Sequence, residues 1–385
     1  MAMKVILHSY SLFLVFISSL LCFKASATKN GALFIFGDST VDAGNNNYIQ
    51  TSPNNRADLN PYGQNGFFPG PTGRFSDGRL LIDYIAEYAK LPLIPPFLQP
   101  SADYSHGANF ASGGGGVLPE TNQGLVIDLP TQLKNFKEVK KSLKEKLGEE
   151  EAEEIIEEAV YFISIGSNDY LRGYLGNPEM QQKYLPEVYI GMVIGNLTNS
   201  IQELYQMGAR KFAFLSLCPL GCLPVMRALN PKAEEGACFE AASSLALAHN
   251  NALKAILTSL EYLLKGFKYC NSNFYIWLHD RITNPSKYGF KDGVNACCGS
   301  GAYRGTYSCG GKHELEFELC EKADEHVWWD SYHPSERIHE HFAKTLWNSG
   351  LEIVGPYNLE HLFFNKEKLT IADIVDVPQD TIGYI

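Results

Sequence analysis

Two short segments, far apart in the chain, carry residue types that together can cleave an acyl bond. The first is Phe36-Gly37-Asp38-Ser39-Thr40-Val41-Asp42-Ala43-Gly44-Asn45-Asn46, which follows an apolar run and so sets a small hydroxyl residue where a strand ends. The second is Trp328-Trp329-Asp330-Ser331-Tyr332-His333-Pro334, with a carboxylate and an imidazole three residues apart. A tight turn brings Asp330 to one ring nitrogen of His333 and fixes its tautomer, leaving the other nitrogen to take a proton from a serine. Taken alone, the first segment also fits an ordinary turn or helix cap, because Asp and Ser favour both. Among the ten histidines, which include His106, His249, His279, His339 and His341, only His333 combines a nearby carboxylate, a rigid turn and aromatic neighbours.

Attack by serine on a carbonyl places negative charge on oxygen, and that charge needs donors already in position. Gly107-Ala108-Asn109-Phe110-Ala111-Ser112-Gly113-Gly114-Gly115-Gly116 offers backbone N–H groups, and Ile165-Gly166-Ser167-Asn168-Asp169 follows an apolar run and offers the Asn168 amide. A glycine run can also cradle phosphate, but this one lacks the lysine of G-x-x-x-x-G-K-[ST] and the setting of G-x-G-x-x-G. No G-x-S-x-G stands in a strand-turn-helix context, so the usual nucleophile elbow is not supported. There is no paired C-x-x-C and no H-E-x-x-H, so neither a metal nor an organic cofactor is expected.

These pieces need a frame. Apolar runs of strand length occur at residues 32–36, 161–165, 211–217 and 274–277. Helical spacing lies between them: Phe136, Val139, Leu143 and Leu147, a break at Gly148, then Ile155, Ile156 and Ala159. Further helices are expected at 190–207, stopping at Gly208, at 241–264, and from Pro334, the first helical position, to near Gly350. Strands alternating with helices predict an α/β protein in three layers, α/β/α, around a mainly parallel sheet, with its chemistry on loops beyond the carboxyl ends of the strands.

The chain has 385 residues, 45% hydrophobic and 19% charged, which fits one large globular unit rather than a disordered chain. A formal charge of −11 with no basic stripe argues against nucleic acid as a partner. Lys4, the apolar stretch 5–23 and Ala25-Ser26-Ala27 read as a secretory signal cleaved after Ala27, leaving 28–385 as a single domain. An uncleaved anchor is the alternative, but Ser9, Ser11, Ser18 and Ser19 dilute the stretch, and no later segment is apolar enough to span a bilayer. Beyond the leader, Cys218, Cys222, Cys238, Cys270, Cys297, Cys298, Cys309 and Cys320 form an even set that suits an oxidising compartment, with their pairing open. Asn196-Leu197-Thr198 is a glycosylation acceptor.

In order and spacing, Gly37-Asp38-Ser39, the glycine segment 107–116, Gly166-x-Asn168-Asp169 and Asp330-x-x-His333 resemble the four blocks of the SGNH hydrolases. Gly73-Arg74-Phe75-Ser76-Asp77-Gly78-Arg79 and Pro219-Leu220-Gly221-Cys222-Leu223-Pro224 also resemble the plant GDSL-type esterases and lipases, with Thr40 where the name of that group has Leu. The likeness runs over residues 31–358. It implies a flavodoxin-like hydrolase in which Ser39 is the nucleophile, His333 the base and Asp330 its orienting acid. It further implies an oxyanion hole from the Ser39 N–H, a glycine among Gly113, Gly114 and Gly115, and the Asn168 side chain. The expected substrate is a small-molecule acyl ester, and the expected location is extracellular, in the apoplast. An acyltransferase moving an acyl group from acyl-CoA to an alcohol is the alternative, and a catalytically silent binding protein is a third; oligomeric state is left open.

Overall fold

The protein is described here from a computed structural model covering residues 31–230 and 236–370. The leader expected over 1–27 and the tail 371–385 lie outside the described residues.

Six strands form the central sheet: β1 (Leu33–Gly37), β2 (Gly107–Asn109), β3 (Val160–Ser164), β4 (Lys211–Phe214), β5 (Lys268–Ser272) and β6 (Val354–Pro356). Their order is β6-β5-β4-β3-β1-β2, parallel throughout except for β6, which runs antiparallel to β5 at one edge. β1 and β3 are buried at every position, the continuous apolar text required when helices cover both faces of a sheet. Their register pairs Leu33 with Val160 and Gly37 with Ser164, which brings the ends of the two strands level. The helices are α1 (Leu81–Tyr88), α2 (Leu129–Leu147), α3 (Glu149–Glu158), α4 (Pro186–Gln206), α5 (Glu240–Leu263), α6 (Phe274–Thr283) and α7 (Glu336–Asn348). α1 packs with α7, while α2 packs with α3 and α4, and α4 with α5. The result is the three-layer α/β/α architecture.

Two elements differ from the sequence expectation. Residues 274–277 begin α6 instead of forming a strand: Asn273 caps the helix by accepting the Ile276 N–H at 3.3 Å, and Phe274, Trp277, Leu278 and Ile282 bury one helical face. Phe274 and Trp277 meet Phe342 of α7 with ring centroids at 4.4 and 4.7 Å. The strand lies just before them in Lys-Tyr-Cys-Asn-Ser, whose polar residues hide it from any search for apolar runs. Pro334 is not the first helical residue either. It bridges Trp328 in extended conformation, and α7 begins at Glu336, whose N–H is taken by Asp77 Oδ1 at 2.7 Å.

Six of the eight cysteines pair, as Cys222–Cys238, Cys297–Cys320 and Cys298–Cys309, while Cys218 and Cys270 stay thiols. The last two bridges stand in a small second core with Tyr62, Phe75 and Trp329, separate from the main one.

The end of β1 is held by one buried side chain. Gly37 lies so close to β3 that a Cβ there would sit 2.3 Å from Ser164 O. Its N–H donates to Gln132 Oε1 of α2 at 2.8 Å, and Gln132 Nε2 donates back to Gly37 O at 2.9 Å and to Ile127 O at 2.8 Å. Gln132→Leu keeps the volume but orphans the Gly37 N–H, so urea unfolding should show a loss of about 1–3 kcal/mol with an unchanged m value. A loss within about 0.5 kcal/mol, the range of neutral surface changes, would mean that water replaces the amide.

Candidate active site

β1 ends in a turn that displays Ser39. Asp38 N–H extends the ladder to Ser164 O at 3.0 Å, after which Val41 N–H returns to Asp38 O at 3.2 Å. Asp38 is buried beneath the turn and accepts the Thr40 N–H at 3.0 Å, and burial raises its carboxyl above the ordinary value. Asp42 ties this turn to the glycine loop. Its Oδ1 accepts the N–H groups of Gly44 and Asn45 at 2.7 Å each, and its Oδ2 accepts that of Gly113 at 2.9 Å. Burial pushes Asp42 up to about 6 against the pull of those three donors. Asn45 Nδ2 donates to the carbonyls of Asn109 and Ala111 at 2.8 Å, so the second loop is stitched to the first along its length.

The glycine stretch resolves into different jobs. The N–H of Gly113 is committed to Asp42, and that of Gly115 to Ser112 O at 2.8 Å. These two expected oxyanion donors are therefore already occupied. The N–H groups of Gly114 and Ser39 donate to no atom among the described residues, and both residues line the same cavity as Asn168. Gly114 adopts φ +84°, a left-handed conformation that favours glycine. Asn168 Nδ2 places one hydrogen on Gly115 O at 3.0 Å, which fixes the amide and leaves its second hydrogen for a ligand. Asp169 braces the far end of the loop, accepting from Val117 N, Leu118 N and Thr121 Oγ1 at 2.9, 3.0 and 2.8 Å.

The third piece arrives on the turn before α7. Asp330 Oδ1 accepts the N–H groups of Tyr332 and His333 at 2.8 Å each and lies 2.7 Å from His333 Nδ1. Its Oδ2 accepts the Tyr62 hydroxyl at 2.7 Å. Burial raises this carboxyl, but His333, Lys312 and Tyr62 outweigh burial and leave it below the usual range. An ionised carboxylate only accepts, so Nδ1 carries the imidazole proton and Nε2 is the lone-pair nitrogen. That nitrogen lies 2.8 Å from Ser39 Oγ. The turn is rigid: Trp329 N–H bonds His333 O at 2.8 Å, and the adjacent Cys297 and Cys298 bond Trp328 O and Trp329 O at 2.9 and 2.8 Å. Phe75 packs on the imidazole with ring centroids at 4.9 Å.

Ser39, Asp330, His333, Gly114 and Asn168 thus converge on one cavity, while two competing histidines stand away from it. His249 and His339 are buried, and burial drives both down to about 3. The cavity lining is mixed, with polar Asn54, Asn55 and Asn122 as well as apolar Leu171, Leu220 and Leu223. Sequence reasoning missed Tyr62 and Lys312, which support Asp330 from positions 268 and 18 residues away; nothing local marks either, and only Phe75 fell within a segment the family likeness had singled out. Asn196 is exposed on α4, its Nδ2 donating to Met192 O at 2.9 Å. Among the described residues no three His, Cys, Asp or Glu side chains gather as a metal site, and no helix is long and apolar enough to cross a membrane.

A mainly parallel three-layer sheet, with a serine on the turn after its first strand and a His-Asp pair on a late turn above it, defines the SGNH class of α/β proteins. The family model described as GDSL-like lipase/acylhydrolase matches residues 33–346, and the chain belongs to that family. It is 47% identical over 378 residues to GDSL esterase/lipase 5 of Arabidopsis thaliana, covering 94% of this chain and 97% of that one. It is 45% identical to GDSL esterase/lipase 1 of the same plant, covering 87% of this chain and 91% of the relative. It is 43% identical to a GDSL lipase of Tanacetum cinerariifolium, covering 89% and 90%.

Gly114→Ala should expose the strain held in the glycine loop. The left-handed backbone costs a non-glycine residue about 1–2 kcal/mol, and the new Cβ would stand 2.8 Å from Asn55 Oδ1. Chemical denaturation should record at least that loss, and an unchanged stability would show that the loop relaxes out of the conformation described.

Proposed function

We propose that the protein is a serine carboxylic ester hydrolase, secreted through the signal at 1–27 as a single domain over 28–385. The observation that carries this reading is the hydrogen-bonded line from Ser39 Oγ through His333 to Asp330 at the edge of a partly apolar cavity. His333 Nε2 takes the Ser39 proton as Oγ attacks the acyl carbonyl, and Asp330 stabilises the imidazolium that forms. The N–H groups of Ser39 and Gly114 and the second hydrogen of Asn168 hold the oxyanion; such a donor is typically worth about 3 kcal/mol in the transition state. The imidazolium then protonates the leaving alcohol. Water, deprotonated in turn by His333, frees the acid from the acyl-enzyme. The leucines in the cavity lining suit an acyl chain, and three disulfides in the described residues agree with an oxidising compartment. Asn196, exposed on its helix, is accessible for glycosylation.

The test supplies short- and medium-chain aryl esters to the native chain, to Ser39→Ala and to Asp330→Asn. Both variants should lose about 10³-fold or more in kcat while keeping the native fold by circular dichroism. Retention of ester cleavage by Ser39→Ala would overturn the reading. Running the same assay with acyl-CoA and an alcohol, and identifying products by mass, separates hydrolysis from the alternative of acyl transfer: free acid supports the first, and a new ester formed only with alcohol present supports the second.

A further inference from the structure

Behind Asp330 lies a second polar line that ends in a buried cation. Lys312 is 2% exposed, and its Nζ donates to Tyr307 Oη at 2.7 Å and to Tyr62 Oη at 3.0 Å. The rings of Tyr307, Tyr62 and Phe75 surround the ammonium with centroids at 4.0, 4.6 and 5.5 Å. Tyr62 in turn donates to Asp330 Oδ2 at 2.7 Å. The segment bearing Lys312 follows Cys309, and the Cys298–Cys309 bridge fastens it to Cys298, whose N–H donates to Trp329 O, next to Asp330, at 2.8 Å.

A lysine ammonium has three donors and no acceptor. While Lys312 is charged, Tyr62 must therefore accept from it, and the Asp330 carboxylate at 2.7 Å is the charged acceptor that draws the phenol's proton. The whole line then points one way, from Lys312 to Tyr62 to Asp330 Oδ2, while His333 Nδ1–H lies 2.7 and 2.9 Å from the two oxygens of the same carboxylate. A neutral amine can accept as well as donate, so on deprotonation Tyr62 can turn its proton to Nζ and leave Asp330 Oδ2 with only the His333 Nδ1 contact at 2.9 Å. Burying an ammonium without a directly paired carboxylate is costly, and the aromatic cage offsets only part of that cost. A residue kept at this cost for packing alone could be methionine.

We propose that Lys312, acting through Tyr62, is a positioning residue of the active site that orients the Asp330 carboxylate toward His333 and makes turnover depend on the charge of a lysine outside the substrate cavity. The inference rests on the reading of Ser39, His333 and Asp330 given above. The groups that face Lys312 are Tyr62 and Tyr307 by direct bond, Asp330 beyond Tyr62, and Asp58, which is itself paired with Arg56. Burial pulls the Lys312 ammonium down to about 7, against the attraction of Asp330 and Asp58. The ammonium is present below that value and lost above it, so the native enzyme carries an alkaline decline in kcat that begins near pH 7.

The experiment measures kcat and KM against pH on one aryl ester for the full chain, Tyr62→Phe, Lys312→Met and the double variant, with Ser39→Ala alongside. Loss of a hydrogen bond to a charged acceptor predicts a fall of about 10- to 100-fold in kcat for each single variant, with KM held within about twofold. Both single variants should lose the alkaline decline, and the double variant should be no slower than the slower single one, because the two residues act along one line. Tyr62→Phe keeps the ring and removes only the hydroxyl, so it carries the test even if Lys312→Met does not fold. Native kcat and a native pH profile in folded Tyr62→Phe would overturn the inference, as would losses that multiply in the double variant. If Ser39→Ala stays active, the underlying reading of the site fails and this inference falls with it; if Ser39→Ala is inactive while Tyr62→Phe is native, only the inference fails.

Discussion

The carboxyl end of β1 is buried, yet every backbone group there must still find a partner, since an orphaned one costs about 1–3 kcal/mol. β1 and β3 stop level at this point and β2 two residues short of it, and beyond Asp38 and Ser112 the ladders give way to loops. Side-chain amides and carboxylates take over where the ladders stop: Gln132 for Gly37, Asn45 and Asp42 for the second loop, Asp169 for its far end. These groups fix the positions of Ser39, Gly114 and Asn168 as a by-product of satisfying the backbone around them. The geometry of the candidate site and the burial of polar groups are here one problem with one solution.

The acid–base half of the site is built on a different footing. It rests on the small core of Tyr62, Phe75, Trp329 and two disulfides, not on the main sheet. Phe75 belongs to both halves, packing on His333 while its ring occupies the space that a side chain at position 113 would need. Asp330 is the hinge of the arrangement, a carboxylate out of water that accepts from two backbone N–H groups, one imidazole and one phenol. Four donors stabilise the anion that burial alone would protonate.

Much of the frame was legible in the sequence because several of its strands read as apolar runs and its helices are amphipathic. β1, β3 and β4 show as apolar runs, and the break at Gly148 is real, since that residue adopts φ +90° between α2 and α3. β5 was not legible, because Asn271 and Lys268 interrupt it while the aromatic text just after belongs to a helix. The candidate residues Ser39, Asn168, Asp330 and His333 could be named because each sits in a short, chemically coherent segment. The choice among Gly113, Gly114 and Gly115 could not be made, because what distinguishes them is which N–H is already taken, by Asp42 and Ser112. Tyr62 and Lys312 are single residues without local context, and only the folded chain puts them beside Asp330.

Ser39 and His333 are separated by 294 residues, Tyr62 and Asp330 by 268. Closing a loop of that size adds little to the equilibrium cost, because loop entropy grows only with the logarithm of length. The weight falls on kinetics, where contacts this distant form late and slow the approach to the native state. On the proposed mechanism a growing chain therefore carries its serine, without a base, through most of its synthesis, and the centre comes into being only when the turn before α7 meets the end of the first strand. Activity that depends on the Ser39–His333 pair is a reporter of completed tertiary assembly, and no fragment lacking either segment can hold the pair together.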